Sequence, residues 1–140
     1  LFDRLDPNNM VIDVGKDRGI HVIPFAVKQV LGLPDSGGIL HFHANNQATK
    51  ALSNFKTSVA LVESEDLHAS HLQKILEEDA KLESAMIDDE LAIRFFFIIA
   101  SNKLLFPSTN NNIRSKDIYL TRDLSCLPGM DWCKAVVDEL

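Results

Sequence analysis

The chain is poor in the residues that build reactive sites, with two cysteines, one tryptophan and one tyrosine among 140 residues. Cys126 and Cys133 are too few for a disulfide framework and too far apart for the close cysteine pairs of zinc motifs. This cysteine usage is typical of an intracellular protein. The longest apolar run, residues 95–100, is far below the about 20 residues that cross a bilayer, so we expect no membrane association. The glycines match neither phosphate-loop nor dinucleotide fingerprints, which excludes nucleotide binding.

The composition, 46% hydrophobic and 24% charged, is that of a folded domain rather than a disordered segment. We therefore expect a single domain over residues 1–140. Because the chain opens on Leu1 rather than Met, we also expect it to be a fragment of a longer protein.

The net charge of -6 is concentrated in residues 63–90, which contain ten acidic residues and only two basic ones, Lys74 and Lys81. An acidic surface repels the phosphate backbone, which disfavours non-specific nucleic-acid binding. The pattern favours a solvated helix surface.

The first third of the chain carries the clearest structural signature. Two short alternating apolar segments, residues 11–14 and 20–23, flank a turn with Gly15 and Gly19 and predict a β-hairpin. Pro24 suits the first position of a helix, and Phe25, Val27, Val30 and Leu31 provide its apolar stripe. Gly32 and Pro34 predict the end of this helix. Before the hairpin, Leu1, Phe2 and Leu5 predict the last turn of a helix that stops before Pro7.

Further apolar patterns predict helices over residues 46–55, after an N-cap at Ser64, and over residues 84–105. The last of these is apolar nearly all round at residues 95–100, which predicts a central core helix. Residues 39–43 predict extended or irregular structure, residues 118–120 form a short apolar patch, and Pro128-Gly129 marks a turn. Asp131 caps a final helix in which Trp132, Cys133, Val136, Val137 and Leu140 line one side. The predicted fold is mostly α, a single helical domain with one short N-terminal β-hairpin.

The histidines raise the hypothesis of a metal site, since two pairs lie close in sequence. The five are His21, His41, His43, His68 and His71. A zinc site needs three or four converging ligands, and no cysteine lies near either pair in sequence. We therefore predict no metal site, with His71 partly buried in an apolar stripe.

Catalysis has little support from the residues. Cys133 lies near a helix start, but no histidine can be assigned to it as a base. The acidic residues are consecutive in the runs 77–79 and 88–90. Since consecutive side chains on a helix point in different directions, each run makes a poor set of cation ligands. We predict no catalytic residue, no cofactor and no enzyme activity.

The residues that we expect to matter are structural. They are Gly32 and Pro34 in the hairpin-helix unit, Phe95, Phe97 and Ile98 in the centre, and Trp132 and Val136 in the last helix. Arg114, Lys116 and Arg122 are the clustered cations that would contact nucleic acid if the domain binds it.

Five segments together resemble the plant mobile domain family, also labelled aminotransferase-like. They are residues 5–7, 23–34, 95–99, 105–109 and 131–140, with the sequences LDP, IPFAVKQVLGLP, FFFII, LFPST and DWCKAVVDEL. The resemblance spans nearly the whole chain. Ile23 departs from the family's usual Thr or Ser before the proline, and the FHANN region has no clear counterpart.

The resemblance implies a mostly helical nuclear domain of transposon-associated proteins, sometimes linked to ubiquitin-like-protease domains, with members implicated in silencing and genome maintenance. It carries over no catalytic residue, and nothing around Lys28, Lys103 or Lys134 provides the cofactor pocket of a transaminase. Three functions follow as hypotheses: a non-catalytic module that binds other protein domains, a DNA-handling domain, or the accessory part of a cysteine protease. The partner and the oligomeric state stay open.

Overall fold

A computed structural model describes residues 4–40, 46–108 and 110–140. The chain divides into two compact units. Unit 1 comprises Leu1–His41 and Cys126–Leu140, and unit 2 comprises Phe42–Ser125. The fold is mostly α with a short β-hairpin near the N-terminus, which confirms the predicted fold class. A single domain over residues 1–140 stays a prediction.

A small antiparallel sheet with the order β1-β2-β3 opens unit 1. Its strands are β1 (Leu5–Asp6), β2 (Val11–Gly15) and β3 (Arg18–His21). Leu5 pairs with Ile12, so the predicted helical turn before Pro7 is wrong at Leu5. The carboxylate of Asp6 accepts the N–H of Asn8 at 2.9 Å, and this local turn reverses the chain so that β1 returns along β2. Leu1 and Phe2, the other residues of that prediction, lie outside the described residues.

The hairpin of β2 and β3 turns at Lys16 and Asp17 rather than at a glycine. Both residues have a positive φ, 55° and 56°, as a type I′ turn requires at its two central positions. A bulge between Asp13 and Gly15 precedes the turn, and the Asp13 carboxylate accepts the N–H of Gly15 at 2.7 Å. The hairpin is therefore as the sequence predicts, with its two central turn residues between Gly15 and Gly19.

The first helix, α1 (Pro24–Leu31), begins with proline as predicted. Gly32 ends it in the left-handed conformation, with φ of 67°, and donates its N–H to the carbonyl of Lys28. The predicted apolar stripe is wrong for the most part. Val27 is buried, whereas Phe25, Val30 and Leu31 are exposed, because the contacts of α1 within unit 1 reach only part of that face.

A 3-10 helix (Leu124–Gly129), which contains the predicted Pro128-Gly129 turn, leads to α6 (Trp132–Asp138). The Asp131 carboxylate accepts the N–H of Lys134 at 2.9 Å, which confirms the predicted cap. Trp132, Cys133 and Val136 are buried as predicted. Leu140 does not belong to the buried side, since it follows the end of α6 and is exposed.

The carbonyls that follow α1 hold α6 in place. Pro34 accepts the backbone N–H of Cys133 at 3.0 Å, so the segment that ends the first helix binds the start of the last one. The importance of Gly32 and Pro34 stays a prediction, and this contact gives the two residues complementary places in the fold. The glycine turns the chain out of α1, and the proline carbonyl then meets α6.

In the described part of unit 2, residues 46–108 and 110–125, the main elements are four α-helices and one π-helical segment. They are α2 (Asn46–Ser58), α3 (Ala69–Asp79), α4 (Asp89–Ala100), the π-helical segment (Ser101–Leu105) and α5 (Ser115–Leu120). The core cluster takes residues from every α-helix and from the segments between them: Phe55, Leu67, Ala69, Leu72, Phe95, Ile98, Ile113 and Ile118. The predicted apolar patch at 118–120 thus lies in a helix.

Two predicted helix starts in unit 2 are wrong. Ser64 lies in a turn and caps nothing, since α3 begins at Ala69 with His68 in the N-cap position. The buried Lys56 donates to the carbonyl of Glu63 at 2.9 Å and holds that turn outside the helix. The next helix begins after Asp88, whose carboxylate accepts the N–H of Leu91, and not at Ser84.

Candidate functional site

Helix α4 presents apolar side chains on two sides. Phe95 and Ile98 are buried as predicted, but the helix is not enclosed as the sequence suggests. Phe96 is 65% exposed, Leu104 on the adjoining π-helical segment is 76% exposed and Ile93 is 48% exposed. Phe97 is half-buried rather than central, which corrects its predicted place in the core.

These exposed residues share one face of the helix. With 3.6 residues per turn, positions separated by three, four and seven residues lie close together along α4, and Leu104 follows on the adjoining π-helical segment. We call this surface the α4 outer face and define it as Ile93, Phe96, Phe97, Ala100 and Leu104. The rings of Phe96 and Phe97 contact each other edge to face, with centroids 5.9 Å apart.

The opposite side of α4 is fixed in the core. The rings of Phe95 and Phe55 pack edge to face at 5.7 Å, and the Arg94 guanidinium lies 5.0 Å from the centroid of the same Phe55 ring. Burial lowers the pKa of Arg94. Helix α4 is thus anchored on its inner side, so the α4 outer face projects from a rigid element.

The π-helical segment ends this face. Its wider turn is closed by the N–H of Phe106, which donates to the carbonyl of Ser101 at 2.7 Å. The buried Asn102 donates its side-chain N–H to the carbonyl of Asn112 at 2.9 Å and ties the segment to the chain that follows. The added residue per turn leaves Leu104 outside while Phe106 is buried.

The predicted nucleic-acid cations differ in their surroundings. Arg114 binds the buried carboxylate of Asp117 through two nitrogens, at 3.1 and 3.2 Å, and donates to the carbonyl of Phe106 at 2.8 Å. Arg122 is exposed and stacks over the Tyr119 ring at 3.8 Å. Lys116 is half-buried. Of the three, Arg114 has its charge committed inside the fold.

The histidine pair on α3 has a local structural role. The backbone N–H of His68 donates to Nδ1 of His71 at 3.1 Å, at the point where α3 begins. His71 is half-buried, as its place in the apolar stripe predicts. Within residues 4–40, 46–108 and 110–140, no three His, Cys, Asp or Glu side chains are grouped so as to hold a metal ion. His41 and His43 lie outside those ranges.

The two cysteines lie in contrasting environments. Cys133 is fully buried and its Sγ donates to the carbonyl of Leu33 at 3.2 Å. Burial raises the pKa of Cys133, and the carboxylates of Asp35 and Asp131 raise it further. This is the setting of a packing thiol and not of a nucleophile. Cys126 is exposed.

Unit 1 has exposed apolar side chains of its own. They lie on β3, at the start of α1 and at its end: Ile20, Ile23, Phe25, Val30 and Leu31. Around the α1 axis, Phe25 points away from Val30 and Leu31, since five residues correspond to about 140° of rotation. These residues therefore do not form one stripe as the α4 outer face does.

The tip of the hairpin borders an open hollow. Side chains of both charges line it: the acidic Asp13 and Asp17, and the basic Lys16 and Arg18. Such a mixed lining favours no ligand of one charge.

Among the helices that the structure describes, none has the length and apolar content to cross a membrane.

Sequence reasoning missed Ile93, Phe96 and Leu104 as surface residues. The sequence did contain a signal for surface exposure, because α4 is apolar on more than one side. A single buried stripe would need only about half of the apolar residues of this helix. What the pattern could not show is which side faces the core.

The chain belongs to a family described as a domain of unknown function (DUF8566), whose model matches residues 1–140. No curated protein matches the chain, and no solved structure matches it.

Proposed function

We propose that this member of the DUF8566 family is a non-catalytic module that binds other protein domains, and that the α4 outer face is its docking surface. The observation that carries the proposal is the exposure of Phe96 and Leu104 on a helix whose other side is anchored in the core. Large apolar side chains held on a rigid helix are typical of surfaces that receive a partner helix or groove.

The energetics favour docking of moderate strength. Full burial of a Phe or Leu side chain stabilises by about 1.5–3 kcal/mol, and each of these residues has between half and three quarters of that burial left to gain. Phe96 lies between Ile93 and Ala100 on the face, and aromatic side chains surrounded by other interface residues often dominate binding energy. Ordering costs on association offset part of this gain.

The cellular setting of the proposal comes from the resemblance to the plant mobile domain. On that resemblance we propose a nuclear, transposon-derived protein connected with silencing or genome maintenance. The burial of Cys133 and the ion pair of Arg114 with Asp117 support a non-catalytic role, since both groups serve packing.

DNA handling has less support as the function of this chain. The charge of Arg114 is paired with Asp117, which lowers its attraction for phosphate. A gel-shift titration over a range of salt concentrations tests this alternative. Affinity that falls steeply with salt, and that is lost when Lys116 and Arg122 are both changed to Gln, would favour DNA binding over the interaction module.

Affinity capture with matched variants tests the proposal. Phe96→Asp places a charge on the α4 outer face, and Val30→Asp places one at an even more exposed apolar position of unit 1. We expect proteins that are retained by the wild-type chain and by Val30→Asp and are lost with Phe96→Asp. Identical sets of captured proteins for all three chains, or specific turnover by the purified chain, would overturn the proposal.

A further inference from the structure

We propose that the occupant of the α4 outer face is a second copy of this chain, bound with the two α4 helices antiparallel about Phe96. This inference rests on the proposed function, because it takes the α4 outer face as the docking surface and names its partner. Its basis is that the face is complementary to itself.

The charges at the two ends of the face are opposite in sign and equally spaced. Asp89 precedes Phe96 by seven residues, Lys103 follows it by seven, and both are exposed. On each side of Phe96 the seven residues span about 10 Å along the helix axis. Lys103 itself lies on the π-helical segment, where its Nζ donates to Asn111 Oδ1 at 3.3 Å. When two copies lie antiparallel with a two-fold axis at Phe96, Asp89 of each copy stands opposite Lys103 of the other.

A parallel arrangement of the two α4 helices is unfavourable. Asp88, Asp89 and Glu90 give the start of α4 three carboxylates, and a parallel pair would place the two sets side by side. Like charges at short range destabilise an interface, and parallel helix dipoles add to that repulsion. The antiparallel arrangement removes both costs.

The shape of the face also fits its own two-fold image. Ile93, Phe96 and Ala100 follow the four-and-three spacing of paired helices. Ile93 lies three residues before the axis and Ala100 four residues after it, so the larger side chain of one copy meets the smaller one of the other. An interface of this kind is isologous, with the same surface used by both copies, and it closes as a dimer.

The dimer is expected to be weak. A single helix face buries less than the about 800 Å² per partner of a standard interface. We therefore expect a dissociation constant of about 10 to 500 µM rather than a nanomolar one.

Sedimentation equilibrium of the full chain at concentrations from about 10 µM to 1 mM provides the first test. The average mass should rise above the 15.6 kDa of one chain as concentration increases. Phe96→Asp should stay monomeric over the whole range, and Val30→Asp should dimerise like the wild type. A wild-type chain that stays monomeric at 1 mM overturns the second-copy proposal. Phe96-dependent capture of another protein would then still support the interaction module. Failure of the second-copy proposal can therefore be distinguished from failure of the proposed function.

Charge reversal tests the register. Asp89→Lys and Lys103→Asp should each weaken dimerisation by about fivefold or more, because each sets like charges opposite each other. The double variant restores opposite charges and should return the dissociation constant to within about twofold of the wild type. A double variant as weak as the single variants would overturn the antiparallel arrangement.

Cysteine cross-linking separates the two orientations in a chain that keeps Phe96. In a Cys126→Ser background, Ile93→Cys and Ala100→Cys should cross-link with each other when the two variants are mixed. Neither should cross-link with its own copy, since equal positions stand about 9 Å or more apart along an antiparallel pair. Cross-linking of each variant with itself and not with the other would show a parallel pair and overturn the proposal.

Discussion

Arg114 and Asp117 form an ion pair in which the Asp117 side chain is fully buried and the Arg114 side chain is 27% exposed. The same carboxylate accepts the backbone N–H of Arg114 at 2.9 Å and so caps the start of α5. A third bond joins the guanidinium to the carbonyl of Phe106, directly after the π-helical segment. The ion pair therefore connects the end of the π-helical segment to the start of α5.

Changing Arg114 to Met should destabilise the chain by about 3 kcal/mol, because the buried Asp117 would lose the cation that compensates its charge. Arg122→Met is the matched control, since its exposed stacking on Tyr119 contributes about 0.5–1 kcal/mol. Urea denaturation followed by circular dichroism measures both. Equal effects of the two substitutions would show that Arg114 acts as a surface cation after all.

Changing Trp132 to Ala should cost about 3–5 kcal/mol, because the ring is 5% exposed and its removal leaves a cavity in unit 1. Trp132→Phe keeps most of the packing but removes the donor to the carbonyl of Leu127, a bond of 2.8 Å, and should cost about 1–2 kcal/mol. Since Trp132 is the one tryptophan of the chain, circular dichroism is the better probe. An unchanged denaturation midpoint for Trp132→Ala would place the ring at the surface.

The two thiols should differ sharply in reactivity. Under native conditions a maleimide should modify Cys126, which is exposed, and leave Cys133, which is buried with a raised pKa and hydrogen-bonded to Leu33. Mass spectrometry should find one label per chain in buffer and two in urea. Rapid native labelling of Cys133 would contradict its place in the structure.

Stability should depend on pH through Lys28 and Asp35, whose side chains are joined by an ion pair of 2.8 Å. The hydrogen bond from Lys28 lowers the pKa of Asp35 below its ordinary value of 3.8, so this contribution is present above that value and is lost as pH falls through the folded-state pKa. The hydrogen bond that Lys28 donates to Asp35 also raises the pKa of Lys28 above 10.5, so that contribution is present below 10.5 and is lost as pH rises through the folded-state pKa.

Comparison with Asp35→Asn isolates this effect. The difference in thermal midpoint between the two chains should be constant from about pH 5 to pH 9 and should shrink towards pH 3 and above pH 11. Added salt should reduce it, because both groups are partly exposed. A difference that grows on acidification would have the wrong sign for this pair.

Much of the local structure is predictable because its cause lies within a few residues. Pro24 and Gly32 bound α1 through their own backbone preferences, and Asp131 caps α6 with its own carboxylate. The start of α4 was harder to predict. The Asp79 carboxylate accepts the N–H groups of Met86 and Ile87, and this turn delays the helix to Asp89.

One glycine shows a cause that lies far away in sequence. Residues 35–38 read as a loop by composition, but the reason for Gly37 is the chain near Gly129. A Cβ at Gly37 would lie 2.3 Å from the carbonyl oxygen of Gly129, and its φ is +132°. The neighbouring Gly38 donates its N–H to that same carbonyl at 2.7 Å. Only the folded chain brings these two glycines together.

The sequence by itself determined the helical class, the hairpin, both ends of α1 and the start of α6, since proline, glycine and capping carboxylates act on their own backbone. The tertiary structure decided which apolar residues are buried. Helix α4 is apolar on more than one side, and only the packing of Phe95 against Phe55 selects the inner face and leaves Phe96 in solvent. The same holds for Arg114, whose charge is a surface cation in the sequence and half of an ion pair in the fold, because Asp117 is buried beside it.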